Sequence, residues 1–297
     1  MDLATFWTAV GSIAAALSVL GGFIGWMSSR RGAVAPAIPA EVPAPPERPQ
    51  LLVRRVTDPD DPDLPAAYDV YTSGITNPAE RDSFPEIQRW LAEARAAGTA
   101  RLDEYLLVAR VRTKVCAFFY GQYYPSHRMF LIGYLVIDRK STDARRATSS
   151  GIIRFMFDLL RREHPQCEGI VFELALDPGK DPKARVPKEE LFAVHARAAA
   201  HVVVKRLDIE YVQPKLSLRE PGLKEEQQHL MYGRMKGKPL GTTLSKQEAR
   251  HVLDAVYNCW YADYYVEDPA SDAEYRPYVR RVFERAVAKL PDPVALR

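Results

Sequence analysis

The stretch that decides the fold is MFLIGYLVIDRKSTDARRATSSGIIRFMFDLL, residues 129–160. It begins with the apolar run Met129–Ile137, which has the length and composition of a buried strand. A basic, polar turn follows and leads into a segment whose apolar residues recur at helical spacing. Those residues are Ile152, Ile153, Met156, Leu159 and Leu160. The stretch therefore predicts a strand, a turn and an amphipathic helix that ends near Glu163.

Further strands are predicted on both sides of this unit. The runs Tyr105–Val111 and Val115–Tyr120 are rich in β-branched and aromatic residues, and Arg112–Lys114 between them fits a hairpin turn. The other predicted strands are Leu51–Val56, Gly169–Leu176, Val202–Leu207 and Gln228–Met235. Several antiparallel strands, followed by strand, helix, strand and helix, predict a mixed sheet of the α/β (α+β) class.

Helix signals lie outside the central stretch as well. Ser83–Glu86 is a capping box with a proline at the first helical position, and Ser245 with Glu248 forms a second capping box. Glu189–Ala200 is helical in pattern, and a last helix is predicted to begin near Pro277.

The N-terminus carries the pattern of a membrane anchor. Leu3–Ser29 contains no charged residue, and Phe6–Met27 is long enough to cross a bilayer. Arg30 and Arg31 follow at once, and the positive-inside rule puts the C-terminal side in the cytoplasm. Residues 1–31 are therefore predicted to be a single-pass transmembrane helix, with a cleaved signal peptide or a buried core helix as the competing interpretations.

A linker separates this segment from the folded part of the chain. Residues 32–50 are rich in alanine and proline, which favour an extended, semi-rigid spacer. Residues 51–297 are predicted to form the globular domain together with a C-terminal helical extension.

Composition and motifs narrow the classes of function. A net charge of +3 is too small to indicate a nucleic-acid partner, and the three cysteines are widely separated. The sequence has no nucleophile elbow, no P-loop, no dinucleotide-binding glycine motif and no helical pair of metal-binding histidines. Hydrolase, NTPase and metalloprotease functions are therefore disfavoured, and no metal site is expected.

The polar turn before the central helix is a candidate anion site. Small residues at a helix start let backbone N–H groups approach a phosphate, and neighbouring arginines add cationic donors. The competing interpretation is an ordinary capped helix with a solvated basic rim. The candidate residues are Arg145, Arg146, Ala147, Thr148, Ser149, Ser150 and Gly151.

The order of elements resembles the GNAT superfamily of acyl-CoA-dependent N-acyltransferases over roughly residues 51–265. Arg146–Gly151 fits the family pattern R/Q-x-x-G-x-G/A, with Ser149 in place of the first glycine, where glycine would suit a left-handed turn. Glu168–Glu173 is similar to the family's fifth strand. Val194–Ala199 lies where many relatives have F-Y-x-R-x-G, so that His195 takes the tyrosine position.

The resemblance implies a GNAT-like, mainly antiparallel sheet flanked by helices, with acetyl-CoA as acyl donor. The segment Arg145–Gly151 would hold the CoA pyrophosphate, and backbone N–H groups near Ile137 would polarise the thioester carbonyl. Glu173 would serve as the base and His195 as the proton donor to the departing thiolate, with Tyr211 in reserve. For Glu173 a strand-end carboxylate paired with an arginine is an equal alternative.

Three functions are consistent with this pattern. The first is a membrane-anchored N-acetyltransferase acting on an amine-bearing small molecule or protein at the cytoplasmic face. The second is a catalytically degenerate sensor or assembly module, which the departures at Ser149, His195 and Ala199 favour. The third is an acyltransferase using a longer acyl donor. The helices after Ser245 could cover the sheet, shape the acceptor cleft or form a homodimer contact.

Overall fold

The computed structural model describes residues 51–75, 81–96, 103–138, 145–175, 193, 196–197, 201–219, 223–237, 239–262 and 269–297. Strands β1 to β5 span Leu51–Val56, Glu104–Val111, Lys114–Tyr124, Met129–Ile137 and Gly169–Ala175. Strands β6 to β10 span Val204–Arg206, Tyr211–Gln213, Glu226–Arg234, Thr243–Leu244 and Val294–Ala295. Helices α1 to α5 span Leu64–Gly74, Phe84–Ala96, Arg145–Glu163, Lys246–Ala255 and Pro269–Ala288, and a π-helix, Val256–Tyr261, continues α4.

One mixed sheet organises the domain. Its strand order is β1-β2-β3-β4-β5-β8-β6, and β7 also pairs with β8. The pairing of β4 with β5 is parallel, and the other pairings in this sheet are antiparallel. Because parallel neighbours need a crossover, α3 connects β4 to β5. The predicted mixed, mainly antiparallel sheet flanked by helices is therefore confirmed.

The two parallel strands separate part-way along their length. Met129–Ile132 of β4 pairs with Gly169–Phe172 of β5, and the ladder ends there. Beyond that point β4 continues beside β3 as far as Ile137, whereas β5 continues beside β8. We call this opening between β4 and β5 the splay.

A β-bulge marks the place where the splay begins. Tyr134 is opposite Tyr120, but Ile132 is opposite Gly121, so Gly133 is the extra residue of β4. A Cβ atom on Gly133 would lie 2.5 Å from the Trp260 ring. The π-helix of the C-terminal extension therefore packs directly on the bulge, and only glycine leaves room for it.

The core lies on both faces of the sheet. On one face α3 packs against the central strands through Ile153, Met156 and Phe157, all fully buried. The opposite face is divided between two groups of helices. Helices α1 and α2 cover Leu106, Val108 and Phe118, while α4, the π-helix and α5 cover Leu131, Val171 and Leu230.

Several predicted element boundaries differ from the structure. Helix α1 has no counterpart in the prediction, because its Pro65 and polar residues interrupt the apolar spacing. Helix α5 begins at Pro269 rather than near Pro277, since Pro277 lies inside the helix. The predicted helix Glu189–Ala200 falls almost entirely outside the described residues.

From Leu51 onward, in the ranges that the structure describes, no helix is both long and apolar enough to cross a membrane. The predicted anchor, residues 1–31, and the predicted linker lie outside the described residues.

Candidate active site

A carboxylate and two tyrosine hydroxyls meet beside the splay. Glu173 directly follows Phe172, the last residue of β5 that pairs with β4. The hydroxyl of Tyr211 donates a hydrogen bond to Glu173 Oε1, and the hydroxyl of Tyr261 donates to Oε2 at 2.6 Å. The sequence-predicted residues Glu173 and Tyr211 are thus brought into direct contact.

The register of the sheet explains how residues so far apart in sequence come together. Strand β8 lies between β5 and β7, with Leu230 opposite Glu173 and Gln228 opposite Tyr211. Residues two apart on a strand share a face, so both side chains project from the same side of the sheet. The π-helix covers this side and supplies Tyr261.

Burial sets the proton affinity of the cluster. Burial raises the pKa of Glu173, and the hydrogen bonds from the two tyrosines oppose that rise without cancelling it. Burial also raises the pKa of Tyr211 and of Tyr261 well above the ordinary value, and the adjacent Glu173 charge adds to the effect. The cluster therefore combines a strengthened carboxylate base with two hydroxyls that stay protonated.

The hydrogen-bond pattern dictates how Glu173 could accept a proton. Each carboxylate oxygen already accepts a tyrosine hydroxyl. A hydroxyl can accept one hydrogen bond while it donates another. A proton from a bound amine could therefore pass to Tyr211 or Tyr261 while that tyrosine gives its own proton to Glu173.

The edge of β4 from which β5 has separated presents backbone N–H groups to the splay. Asp138 donates its N–H to Cys116 O of β3 at 2.8 Å, so the adjacent residue Ile137 points its N–H the opposite way. The same alternation directs the N–H of Leu135 toward the splay. The sequence-predicted backbone donor at Ile137 therefore lies on the edge that β5 has left.

The segment Arg145–Gly151 is helical rather than a loop, and this corrects the sequence-based expectation. Helix α3 begins at Arg145, since the segment contains no proline and its only glycine is tolerated near a helix start. Ser149 is consequently helical, so serine incurs no left-handed strain at that position. The first backbone N–H groups of the helix, from Arg145 to Ala147, lack intrahelical acceptors.

The side chains of this segment that the structure describes face the protein. Thr148 is fully buried and its hydroxyl lies 3.7 Å from Cys116 Sγ, and Ser149 is also buried. A Cβ on Gly151 would lie 2.2 Å from the Leu51 side chain of β1. Gly151 thus lets β1 approach α3 closely. Ser150 is half-buried, and the side chains of Arg145, Arg146 and Ala147 fall outside the description.

Three partly exposed aromatic rings lie in a row on the face that bears the π-helix. The Trp90 ring of α2 stacks on Tyr120 at 5.8 Å between centroids, and Trp260 lies 6.0 Å from Tyr120. Trp260 also covers the bulge at Gly133 and is adjacent in sequence to Tyr261. This aromatic row therefore connects α2 with the π-helix that supplies Tyr261.

One predicted site residue cannot be compared with the structure, and one residue of the site was missed. His195 lies outside the described residues, so its predicted role stays a prediction. Tyr261 was not predicted as a site residue, because it reaches Glu173 from 88 positions away in sequence. The signal that could have found it is the helical spacing of Tyr257 and Tyr261 after a well-capped helix.

The chain is similar in structure to several solved acetyltransferases. Spermidine N-acetyltransferase from Vibrio cholerae, in complex with CoA and spermine, is 14% identical with a TM-score of 0.40, over 62% of this chain and 95% of that one. Ribosomal-protein-S18-alanine N-acetyltransferase from Escherichia coli is 12% identical with a TM-score of 0.39, and the match covers 65% of this chain and 99% of that one. Ribosomal-protein-S5-alanine acetyltransferase from Vibrio fischeri is 12% identical with a TM-score of 0.41, and the match covers 64% of this chain and 96% of that one.

No protein-family model and no curated protein matches the sequence. The identities and TM-scores of the solved structures do not assign the chain to a family.

Proposed function

We propose that the chain is a membrane-anchored N-acetyltransferase that transfers an acetyl group from acetyl-CoA to an amine at the cytoplasmic face. The observation that carries the proposal is the position of Glu173, a partly buried carboxylate linked to two tyrosine hydroxyls, beside the point where β4 and β5 separate. Amine acylation needs a base at the reacting nitrogen, and a carboxylate with a raised pKa is suited to that task.

The donor side of the proposed site is the edge of β4 together with the start of α3. The N–H groups of Leu135 and Ile137 would donate to the thioester carbonyl as negative charge develops on its oxygen. The first N–H groups of α3 would hold the CoA pyrophosphate, with Arg145 and Arg146 as cationic partners. Because Thr148 and Ser149 face the core and follow the first N–H groups of α3, we assign them no direct contact with the pyrophosphate.

The acceptor side is the aromatic row Trp90, Tyr120 and Trp260. Electron-rich ring faces attract ammonium groups, and the row ends on the π-helix whose Tyr261 hydrogen-bonds Glu173. An amine arriving as its ammonium ion would lose a proton to Tyr211 or Tyr261, which would pass one to Glu173. The neutral amine would then attack the thioester carbon, and His195 would protonate the departing thiolate.

A transfer assay tests this proposal. The full-length chain is incubated with acetyl-CoA and a panel of amines, and free CoA thiol is measured, with longer acyl-CoA donors in parallel to define the chain length accepted. Glu173→Gln removes the base at nearly constant volume and should lower kcat by about 10²–10⁴-fold. Glu168→Gln, an exposed carboxylate just before the same strand, is the matched control and should retain activity. Equal turnover by Glu173→Gln and the wild type would contradict the assignment of the base.

A second candidate, a non-catalytic module of the same fold, is favoured by one observation. Both oxygens of Glu173 are engaged by tyrosines that tie β5, β7 and the π-helix together, which is also what a structural clamp would require. On that alternative no amine is acetylated, and Glu173→Gln changes stability alone.

A further inference from the structure

A second cluster of reactive groups lies away from Glu173, where the turn between β3 and β4 meets the C-terminal helices. His127 Nε2 is 2.7 Å from Asp254 Oδ2 of α4, and His127 Nδ1 is 3.3 Å from the Cys259 sulfur in the π-helix. The imidazole therefore bridges a carboxylate and a thiol through its two opposite nitrogens. This is the arrangement of a nucleophile, a base and an orienting group.

The surroundings fix the roles of the two imidazole nitrogens. Asp254 accepts from Nε2–H, so in neutral His127 the lone pair is on Nδ1, beside the thiol. Asp254 is itself held by Asn258, whose amide donates to Oδ1 at 2.6 Å. The His251 ring stacks on His127 at 5.0 Å and donates from Nε2 to the His127 carbonyl at 3.1 Å. The base is thus held in position by Asp254 and by His251.

The structure also shows which group competes for His127 Nδ1 and how exposed Cys259 is. Ser126 Oγ lies 2.9 Å from the same Nδ1 and shares that nitrogen with the thiol. Cys259 is partly exposed, whereas its base is mostly buried, with 13% of the His127 side chain accessible. A thiol on a partly exposed residue beside a shielded base has the environment of a reactive cysteine.

The other two cysteines of the chain serve as unreactive controls for Cys259. Cys116 and Cys167 are buried, and each thiol donates to a backbone carbonyl, that of Ala109 and that of Gly169 respectively. Burial raises the pKa of both thiols, that of Cys167 to about 12. These two cysteines should therefore stay unreactive under conditions in which Cys259 reacts.

We propose that Cys259 is a nucleophilic thiol, activated by His127 and Asp254, that accepts an acyl group from acyl thioesters. His127 Nδ1 takes the thiol proton, and the sulfur attacks the thioester carbonyl carbon. A new sulfur–carbon bond forms as the donor's carbon–sulfur bond breaks. The departing thiolate then receives the proton from His127, so that no other reactant is needed. The choice of a thioester as electrophile rests on the proposed function.

The test uses the full-length chain and a truncated thioester, S-acetyl-N-acetylcysteamine, which lacks the nucleotide. Reaction without the nucleotide separates this proposal from the proposed CoA site, because loss of acetyl-CoA binding would leave it intact. Peptide mapping by mass spectrometry should find one hydroxylamine-labile acetyl group, on Cys259 and not on Cys116 or Cys167. An unlabelled Cys259, or equal labelling of the three cysteines in the folded protein, would overturn the proposal without any variant.

Matched variants test the role of the base. His127→Ala should slow acetylation of Cys259 at least about tenfold, and Asp254→Asn should slow it severalfold. Ser126→Ala removes the competitor for Nδ1 and should leave the rate unchanged or faster. Circular dichroism on each variant checks that it folds. A folded His127→Ala variant that is acetylated as fast as the wild type would refute activation of the thiol by the imidazole.

Discussion

The packing of Trp260 on the bulge of β4 gives a prediction that can be worked out from distances. In Gly133→Ala the new Cβ would meet two atoms of the Trp260 ring at 2.5 and 2.7 Å, where ordinary van der Waals contact begins at 3.4 Å. Moving the ring away would loosen its contact with Tyr120, whose centroid lies 6.0 Å from that of Trp260. Overpacking of this kind should lower the free energy of unfolding by about 1–3 kcal/mol.

A double-mutant cycle measured by urea denaturation tests the cause of that loss. Trp260→Ala removes the clash, so Gly133→Ala should cost at least about 1 kcal/mol less in that background than in the wild type. Gly241→Ala is the control, because a Cβ there has no neighbour within 4 Å, and it should change stability by less than about 1 kcal/mol. Additive costs for Gly133→Ala and Trp260→Ala would refute the contact between the C-terminal extension and the bulge.

Three further predictions concern titration and capping. Burial raises the pKa of Glu173 above its unfolded value of 4.5, so the native state binds more protons than the unfolded state just above that pH. The free energy of unfolding should therefore fall as pH rises through this window, by about 1.4 kcal/mol for each pH unit by which the pKa is raised. Glu173→Gln should remove this loss when urea denaturation is measured at several pH values. A difference in stability between Glu173→Gln and the wild type that does not change with pH would contradict the prediction. Burial likewise raises the pKa of Asp82 to about 6, so its carboxyl carbon should titrate near pH 6 by NMR, and a midpoint near 4 would contradict this. Ser245→Ala breaks the capping box with Glu248 and should cost about 1 kcal/mol in thermal denaturation, whereas an unchanged melting temperature would show that the cap contributes nothing.

Much of the sheet could be predicted because its strands carry local signals. Leu51–Val56 and Met129–Ile137 have the same bounds in the prediction and in the structure, since each consists largely of apolar residues and is bounded by polar ones. The capping boxes at Ser83 and Ser245 are both present. These features depend on neighbours in sequence, which a single sequence displays directly.

What could not be predicted depends on contacts between distant segments. Gly151 was interpreted as a backbone site for phosphate, but its missing side chain makes room for Leu51, which is 100 positions earlier. Tyr261 reaches Glu173 only because the C-terminal extension covers the sheet at the splay. The family resemblance names Glu173 and Tyr211 as separate candidates, but their direct contact emerges only in the folded chain, as does the cluster around Cys259, which has no local motif.

Calorimetric titration of the full-length chain with acetyl-CoA tests the central claim most directly. We expect micromolar binding that Arg146→Ala weakens about 10- to 100-fold, as follows from the loss of a charge-assisted hydrogen bond to phosphate. Arg154→Ala removes an exposed arginine farther along the same helix and should bind as the wild type does. Absence of binding at about 1 mM acetyl-CoA, where the free energy of binding would be weaker than about −4 kcal/mol, would contradict the assignment of the chain as an acetyltransferase.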